Sequence, residues 1–263
     1  MKIAIIGAGN MGAWLANELA GEHQIALYNR TKPKAEDAAA RITGGKVRVL
    51  ASLSELSPLA PDMLINAVSL QNTIPVFEEA ARHVPKGCVL CDVASIKGDI
   101  PAYYAKSGFR FASVHPMFGP TFANVENLSD ENAVIIKESD PQAAQFFRAL
   151  FQKLKLHIYD YTFEEHDQMM AYSLAVPFSS TLVFAACMDR KAVPGTTFKR
   201  HMKIARGLLS EDDWLLSEIL FNRYSLRELE RITNRLEYLK HVIKGKDKDE
   251  MKKFLDNLRK NIA

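Results

Sequence analysis

The sequence predicts an α/β half with a mainly parallel sheet, followed by an all-helical half. Two observations predict it. As far as Tyr161, short apolar runs of strand length alternate with stretches of helical period. From Phe163 onward no convincing strand pattern recurs, which divides the chain into residues 1–161 and 162–263. The chain has 263 residues, 48% of them hydrophobic, enough to bury one large core or two smaller ones. A net charge of +3 gives no argument for nucleic acid or for a membrane surface as partner.

The first apolar run, Lys2 to Ile6, is followed at once by Gly7-Ala8-Gly9-Asn10-Met11-Gly12 and by a helical pattern from Met11 to Leu19. This is G-x-G-x-x-G in the strand–turn–helix setting that gives it meaning. Gly7 permits the tight turn, Gly9 lets the backbone approach a pyrophosphate, and Gly12 allows close packing of helix on strand. The helix N-terminus offers N–H groups to the phosphates. The first half is therefore a Rossmann-like dinucleotide-binding domain, with Gly7, Gly9, Asn10, Met11 and Gly12 at the cofactor.

Gln24 to Tyr28 reads as the second strand, and its end selects the cofactor. A carboxylate there would accept from a ribose 2′-OH. Asn29-Arg30-Thr31 has none, and Arg30 can face a 2′-phosphate with a planar pair of donors. NADP is favoured, with NAD the alternative. Val47 to Leu50 and Met63 to Val68 are the next strands, and Ala67, Val68 and Ser69 end the latter beside the cofactor. Thr73 to Val84 reads as a helix closed by Pro85-Lys86-Gly87.

Two polar phrases then follow apolar runs, where open α/β sheets place their ligands. Asp92-Val93-Ala94-Ser95-Ile96-Lys97 follows Cys88 to Cys91, and His115-Pro116-Met117-Phe118-Gly119-Pro120-Thr121 follows Phe109 to Val114. His115 alone in these phrases has an ordinary pKa near neutrality, so it is the natural proton acceptor. Pro116 keeps it out of a helix, and a place at a strand end follows. Strands at Asn132 to Lys137 and Lys155 to Tyr161 flank a helix from Pro141 to Leu154.

Beyond Tyr161, Glu164-Glu165-His166-Asp167 opens a helical run through Met188, broken by Pro194-Gly195. Its most apolar part, Leu174 to Met188, is shorter than a membrane span and holds Pro177, so it reads as a buried helix. Further helices run from Thr197 to Leu209, Glu211 to Phe221 and Leu226 to Ile243. Leu229, Ile232, Leu236, Leu239 and Ile243 form a narrow stripe in the last, suited to packing within the domain or against a second subunit. A final helix is capped by Asp247 or Asp249. The number of apolar stripes in so short a segment leads to the expectation of a homodimer built through this half. The three cysteines, Cys88, Cys91 and Cys187, read as reduced core residues, and no metal site is expected. With no secretory pattern after Met1 to Ile6, a cytoplasmic protein is expected.

Taken together, the glycine fingerprint, the Asp92–Lys97 phrase, the His115–Pro120 phrase and the Glu165-His166-Asp167 opening of a helical half resemble the prephenate dehydrogenases of tyrosine biosynthesis, over nearly the whole chain. The resemblance implies oxidative decarboxylation of prephenate to 4-hydroxyphenylpyruvate and CO2, with hydride passing to a nicotinamide; arogenate is the related substrate. It implies that His115 takes or polarises the proton of the ring hydroxyl, that Ser95 orients hydroxyl and histidine, and that Thr121 and Lys97 contact substrate. It also implies a cation for the substrate carboxylates in the basic cluster Lys199, Arg200, Lys203 and Arg206, of which Lys199, Lys203 and Arg206 share a helix face. Many relatives carry S-H-L-P-H in the helical half. Here Leu174-Ala175-Val176-Pro177-Phe178 keeps the proline and lacks both histidines, which puts a second imidazole in question, while His166 and Asp167 are kept and expected at the domain junction. No chorismate mutase segment precedes the fingerprint and no regulatory domain follows the helices, so the bare catalytic unit is expected. The competing readings are another two-part dehydrogenase, of the β-hydroxyacid or pyrroline-carboxylate type, and a nicotinamide-sensing protein without turnover. The first would lead to a catalytic lysine in the helical half or no HPMFG phrase.

Overall fold

A computed structural model describes residues 1–119, 127–189, 191 and 193–262. The chain forms two compact units, Met1–Met169 and Met170–Ala263. The first unit is built on one eight-stranded sheet in the order β3-β2-β1-β4-β5-β6-β7-β8. In chain order its elements are β1 (Lys2–Ile6), α1 (Asn10–Leu19), β2 (Gln24–Tyr28), α2 (Lys32–Ala40), β3 (Val47–Val49), α3 (Leu56–Leu59), β4 (Met63–Asn66), α4 (Thr73–Ala80), β5 (Val89–Asp92), α5 (Ile100–Ser107), β6 (Phe111–Pro116), β7 (Asn132–Ile136), α6 (Pro141–Lys153), β8 (His157–Tyr161) and α7 (Phe163–Met170).

Neighbouring strands run parallel except β6 and β7, which pair antiparallel with His115 opposite Val134. The strand order reverses between β1 and β4, the switch point at which such sheets hold ligands. Central strands are continuous apolar runs because both faces are covered. Ile3 and Ile5 join the core formed with Trp14, Leu15 and Phe147, while Ala4 and Ile6 join a second core with Phe77 and Tyr104.

All eight expected strands form, with every end within two residues of its expected place. Helices α2, α3 and α5 are additions. The segment Lys32–Ala40 buries only Ala35 and Ala38, too little apolar side chain to show a period. The unit boundary also lies later than the change of texture at Tyr161. The first two turns of α7 belong to the first unit, where His166 meets His115 of β6 and Asp167 accepts from the Lys97 N–H in the turn after β5.

The second unit is wholly helical among its described residues: a π-helical turn at Ala171–Ala175, then α8 (Val176–Ala186), α9 (Thr196–Leu208), α10 (Asp213–Leu220), α11 (Ser225–Gly245) and α12 (Lys248–Asn261). Asp247 caps α12 by accepting from the N–H groups of Asp249 and Glu250. The expectation of a buried helix at Leu174 to Met188 is corrected: α8 buries none of its residues. It is apolar nearly all round, and this unit has too few helices to cover every side. The run Phe163–Ala186 is long and apolar enough to cross a membrane by length and composition. Cys187, just past α8, is exposed rather than part of a core, whereas Cys88 and Cys91 are buried. Burial pushes the Cys88 thiol up to about 12, so it is inert near neutrality. On α11, Leu229, Leu236 and Ile243 are exposed, and Ile232 and Leu239 are half-buried.

Candidate active site

The glycine loop is shaped by three different constraints. Gly7 sits at φ +104°, and a Cβ there would lie 2.5 Å from the Ala67 carbonyl oxygen. A Cβ on Gly12 would lie 1.9 Å from the Gly7 carbonyl oxygen, so only glycine lets α1 start this close to β1. A Cβ on Gly9 would meet nothing within 4 Å. That open space above bare backbone is what a pyrophosphate needs, and no acidic residue stands in the first turn of α1 to repel it. The residues present therefore fit a dinucleotide, which Gly7, Gly9, Asn10, Met11 and Gly12 would hold.

Asn29 ties the loop to the end of β2. Its Oδ1 accepts from the Ala8 N–H at 3.1 Å, and its Nδ2 donates to the Thr31 carbonyl at 3.0 Å. Arg30 and Thr31 are exposed. Beside them opens a cleft of about 460 Å³, lined by Gly9, Asn10, Thr31, Lys34, Asp37 and Arg41. Lys34 and Arg41 belong to α2 and its end, the helix that sequence periodicity did not show. At the end of β4, Ala67 and Val68 are half-buried and Ser69 is exposed. Buried Asn66 holds this turn by donating to the Thr73 carbonyl at 2.9 Å.

His115 lies one residue before the end of β6, as its sequence context requires, but it is only 7% exposed. Its Nδ1 is 3.1 Å from Nε2 of His166, which is fully buried on α7. His166 Nδ1 is in turn 3.2 Å from Asp167 Oδ1. A second imidazole is thus present after all, supplied by α7 rather than by the S-H-L-P-H position. Burial pushes His115 well below 6.5, and the neighbouring His166 and Lys97 push the same way. Burial lowers His166 too, against the opposing pull of Asp167.

The structure corrects the placing of Lys97 against substrate. Its side chain is wholly buried, with Nζ donating to Asp92 Oδ1 at 2.7 Å and to the Val114 carbonyl at 2.8 Å. Asp92 also accepts from the Tyr104 hydroxyl at 2.9 Å and from the Ala94 N–H at 3.1 Å, so both oxygens of the buried carboxylate are hydrogen-bonded. Lys97 faces inward because Asp92 is the strong acceptor within its reach; burial lowers its pKa while Asp92 raises it. Ser95 is half-buried in the turn between Asp92 and Lys97. Phe118 packs edge-on against Trp14 of α1, with ring centroids 5.1 Å apart, which fastens the HPMFG phrase to the helix that follows the glycine loop. Thr121 lies outside the described residues. Lys199, Lys203 and Arg206 are on α9 of the second unit, and all three are exposed.

A family model described as the nucleotide-binding domain of prephenate dehydrogenase matches residues 16–160. Among curated proteins, the probable arogenate/prephenate dehydrogenase of Methanocaldococcus jannaschii is 22% identical over 218 residues, covering 77% of this chain and 48% of that protein. The chain spans under half the length of this relative and of others that it matches. Among solved structures, Synechocystis arogenate dehydrogenase superposes with a TM-score of 0.75 at 23% identity, covering 99% of this chain and 98% of that one. Prephenate dehydrogenase from A. aeolicus, in complex with hydroxyphenyl propionate and NAD+, gives 0.84 at 15% identity, covering 100% and 98%. These two likenesses establish a common fold.

Proposed function

The chain belongs to the prephenate dehydrogenase family, and we propose that this member oxidatively decarboxylates prephenate, with arogenate the alternative substrate and NADP favoured over NAD. The observation that carries the reading is a neutral, buried imidazole, His115, at the end of a strand of the sheet whose switch point holds the glycine loop. A nicotinamide cofactor bound at the glycine loop would supply the acceptor for the hydride on the ring carbon that bears the hydroxyl. His115 polarises that hydroxyl by accepting its proton at the free ring nitrogen. The C–CO2 bond then breaks, its electrons enter the ring, and aromatisation drives the step. The proton returns to the phenolic oxygen, so the balance is one hydride to the cofactor and one CO2 released. Ser95 orients the hydroxyl. Lys199, Lys203 and Arg206 are the proposed partners of the substrate carboxylates.

Support for NADP is the missing carboxylate at the end of β2, together with Arg30, Thr31 and the cations Lys34 and Arg41 nearby. The exposed apolar residues of the second unit support a homodimer. Burial of Cys88 and Cys91 as free thiols supports a reducing, cytoplasmic setting.

The test is an assay with prephenate and with arogenate, each with NADP and NAD. His115→Asn, close in size and polar, should keep the fold and lower turnover by about 10² to 10⁴. Near wild-type kcat in that variant would remove His115 from the mechanism.

A further inference from the structure

We propose that His166 and Asp167 are positioning residues that fix the tautomer of His115, placing its proton on Nδ1 and its lone pair on Nε2. One atom's role is settled from the start. The backbone N–H of Lys97 can only donate, and it lies 3.2 Å from Asp167 Oδ1, so that oxygen is an acceptor. His166 Nδ1 approaches the same oxygen at 3.2 Å and must therefore donate. A neutral imidazole has a single N–H, so His166 Nε2 is an acceptor. His115 Nδ1, 3.1 Å away, donates to it. The remaining nitrogen of His115, Nε2, is left with an unprotonated lone pair. Burial keeps both rings from taking a second proton at neutral pH.

Lys97 closes the circuit. Its ammonium donates to the carbonyl of Val114, the residue before His115. Its own N–H holds Asp167. The bonds thus run from Lys97 through Asp167, His166 and His115 and back to Lys97. The imidazole is fixed in place through its backbone at one end and through its ring at the other. A base needs its lone pair on the nitrogen that meets the substrate, and the wrong tautomer offers a hydrogen there instead. The effect on turnover rests on the reading of His115 as the base; the tautomer itself does not.

The experiment is a two-bond 1H–15N correlation on the full chain with 15N-labelled histidine, near neutral pH and without substrate. His115 should show a protonated Nδ1 and an unprotonated Nε2. His166→Leu removes the acceptor, and a population of His115 protonated on Nε2 should appear. Asp167→Ala, which frees the ring of His166, should loosen the preference in the same sense. His166→Gln should retain the wild-type form, because its Oε1 can accept from Nδ1–H. In turnover, His166→Leu should lower kcat roughly ten- to a hundred-fold with little change in KM, and His166→Gln should recover part of the loss. A wild-type His115 protonated on Nε2 overturns the proposal. So does an unchanged Nδ1–H form in both His166→Leu and Asp167→Ala. If neither prephenate nor arogenate is turned over, the proposed activity fails while the ring-nitrogen measurement still decides the tautomer.

Discussion

The proposed chemistry rests on His115 and the proposed cofactor preference on Arg30, and each makes a separate expectation. Arg30 is exposed, so its worth lies in what it meets on binding. Arg30→Ala should raise the KM for NADP ten- to a hundred-fold over that for NAD, the equivalent of a lost charge-assisted bond of about 1.5–3 kcal/mol. Steady-state kinetics with both cofactors decide it, and equal effects would make the turn merely solvated. For His115 the sign follows from burial. Its folded pKa lies below the ordinary 6.5, so the ring stays neutral and basic as pH falls through that value. The acid limb of kcat/KM should accordingly sit below pH 6.5. The same shift makes acid destabilising. An unfolded chain protonates this ring near 6.5 and the folded chain only lower, so the stability is complete above 6.5 and declines as pH drops beneath it. An acid limb above 6.5 would mean that the ring titrates as though exposed. The place of His115 at a strand end was legible in the sequence because Pro116 and Gly119 punctuate the chain beside it. Its pairing was not: Glu165-His166-Asp167 stood out as a phrase, but His166 lies 51 residues away and only folding brings the two rings together. Lys97 was misread for a related reason. A lysine is ordinarily exposed, and only the acceptors around it, Asp92 and Val114, draw it inward.

At the scale of elements, the junction of β1 and α1 sets the tightest constraint. Gly12→Ala would gain about 1 kcal/mol of helix propensity, but its Cβ would meet the backbone of Gly7, which cannot rotate aside. Overpacking of this kind costs about 1–3 kcal/mol, so Gly12→Ala should lower both Tm and cofactor affinity. Gly9→Ala should leave Tm nearly unchanged and weaken cofactor binding alone, because its Cβ enters only the open space above the loop. Thermal unfolding and cofactor titration of the two variants separate these outcomes; a normal Tm for Gly12→Ala would contradict the close packing. The loop and its helix were readable because six consecutive residues carry the signal. Helix α2 was not, since Ala35 and Ala38 give no contrast with their neighbours. For α8 the helix was readable and its exposure was not, because composition shows what can be buried and only the arrangement of neighbours shows what is.

For the molecule as a whole, the helical unit leaves large apolar side chains uncovered, among them Phe221 at 81%, Leu226 at 66% and Ile204 at 60%. A groove of about 650 Å³ lined by Tyr172, Ile232, Leu236, Leu239 and Phe254 adds to this surface. Light scattering at micromolar concentration should give twice 29.5 kDa. A mass of one chain would refute the homodimer. The strand order also works as a ruler. From β1, which leads into the glycine loop, to β6, which carries His115, the sheet takes three steps, through β4 and β5. At about 4.8 Å a step, the two motifs stand roughly 14 Å apart. Only a molecule long enough to rest its phosphates on one and reach toward the other can serve both. A mononucleotide should therefore compete for the loop and still leave His115 with nothing to act upon.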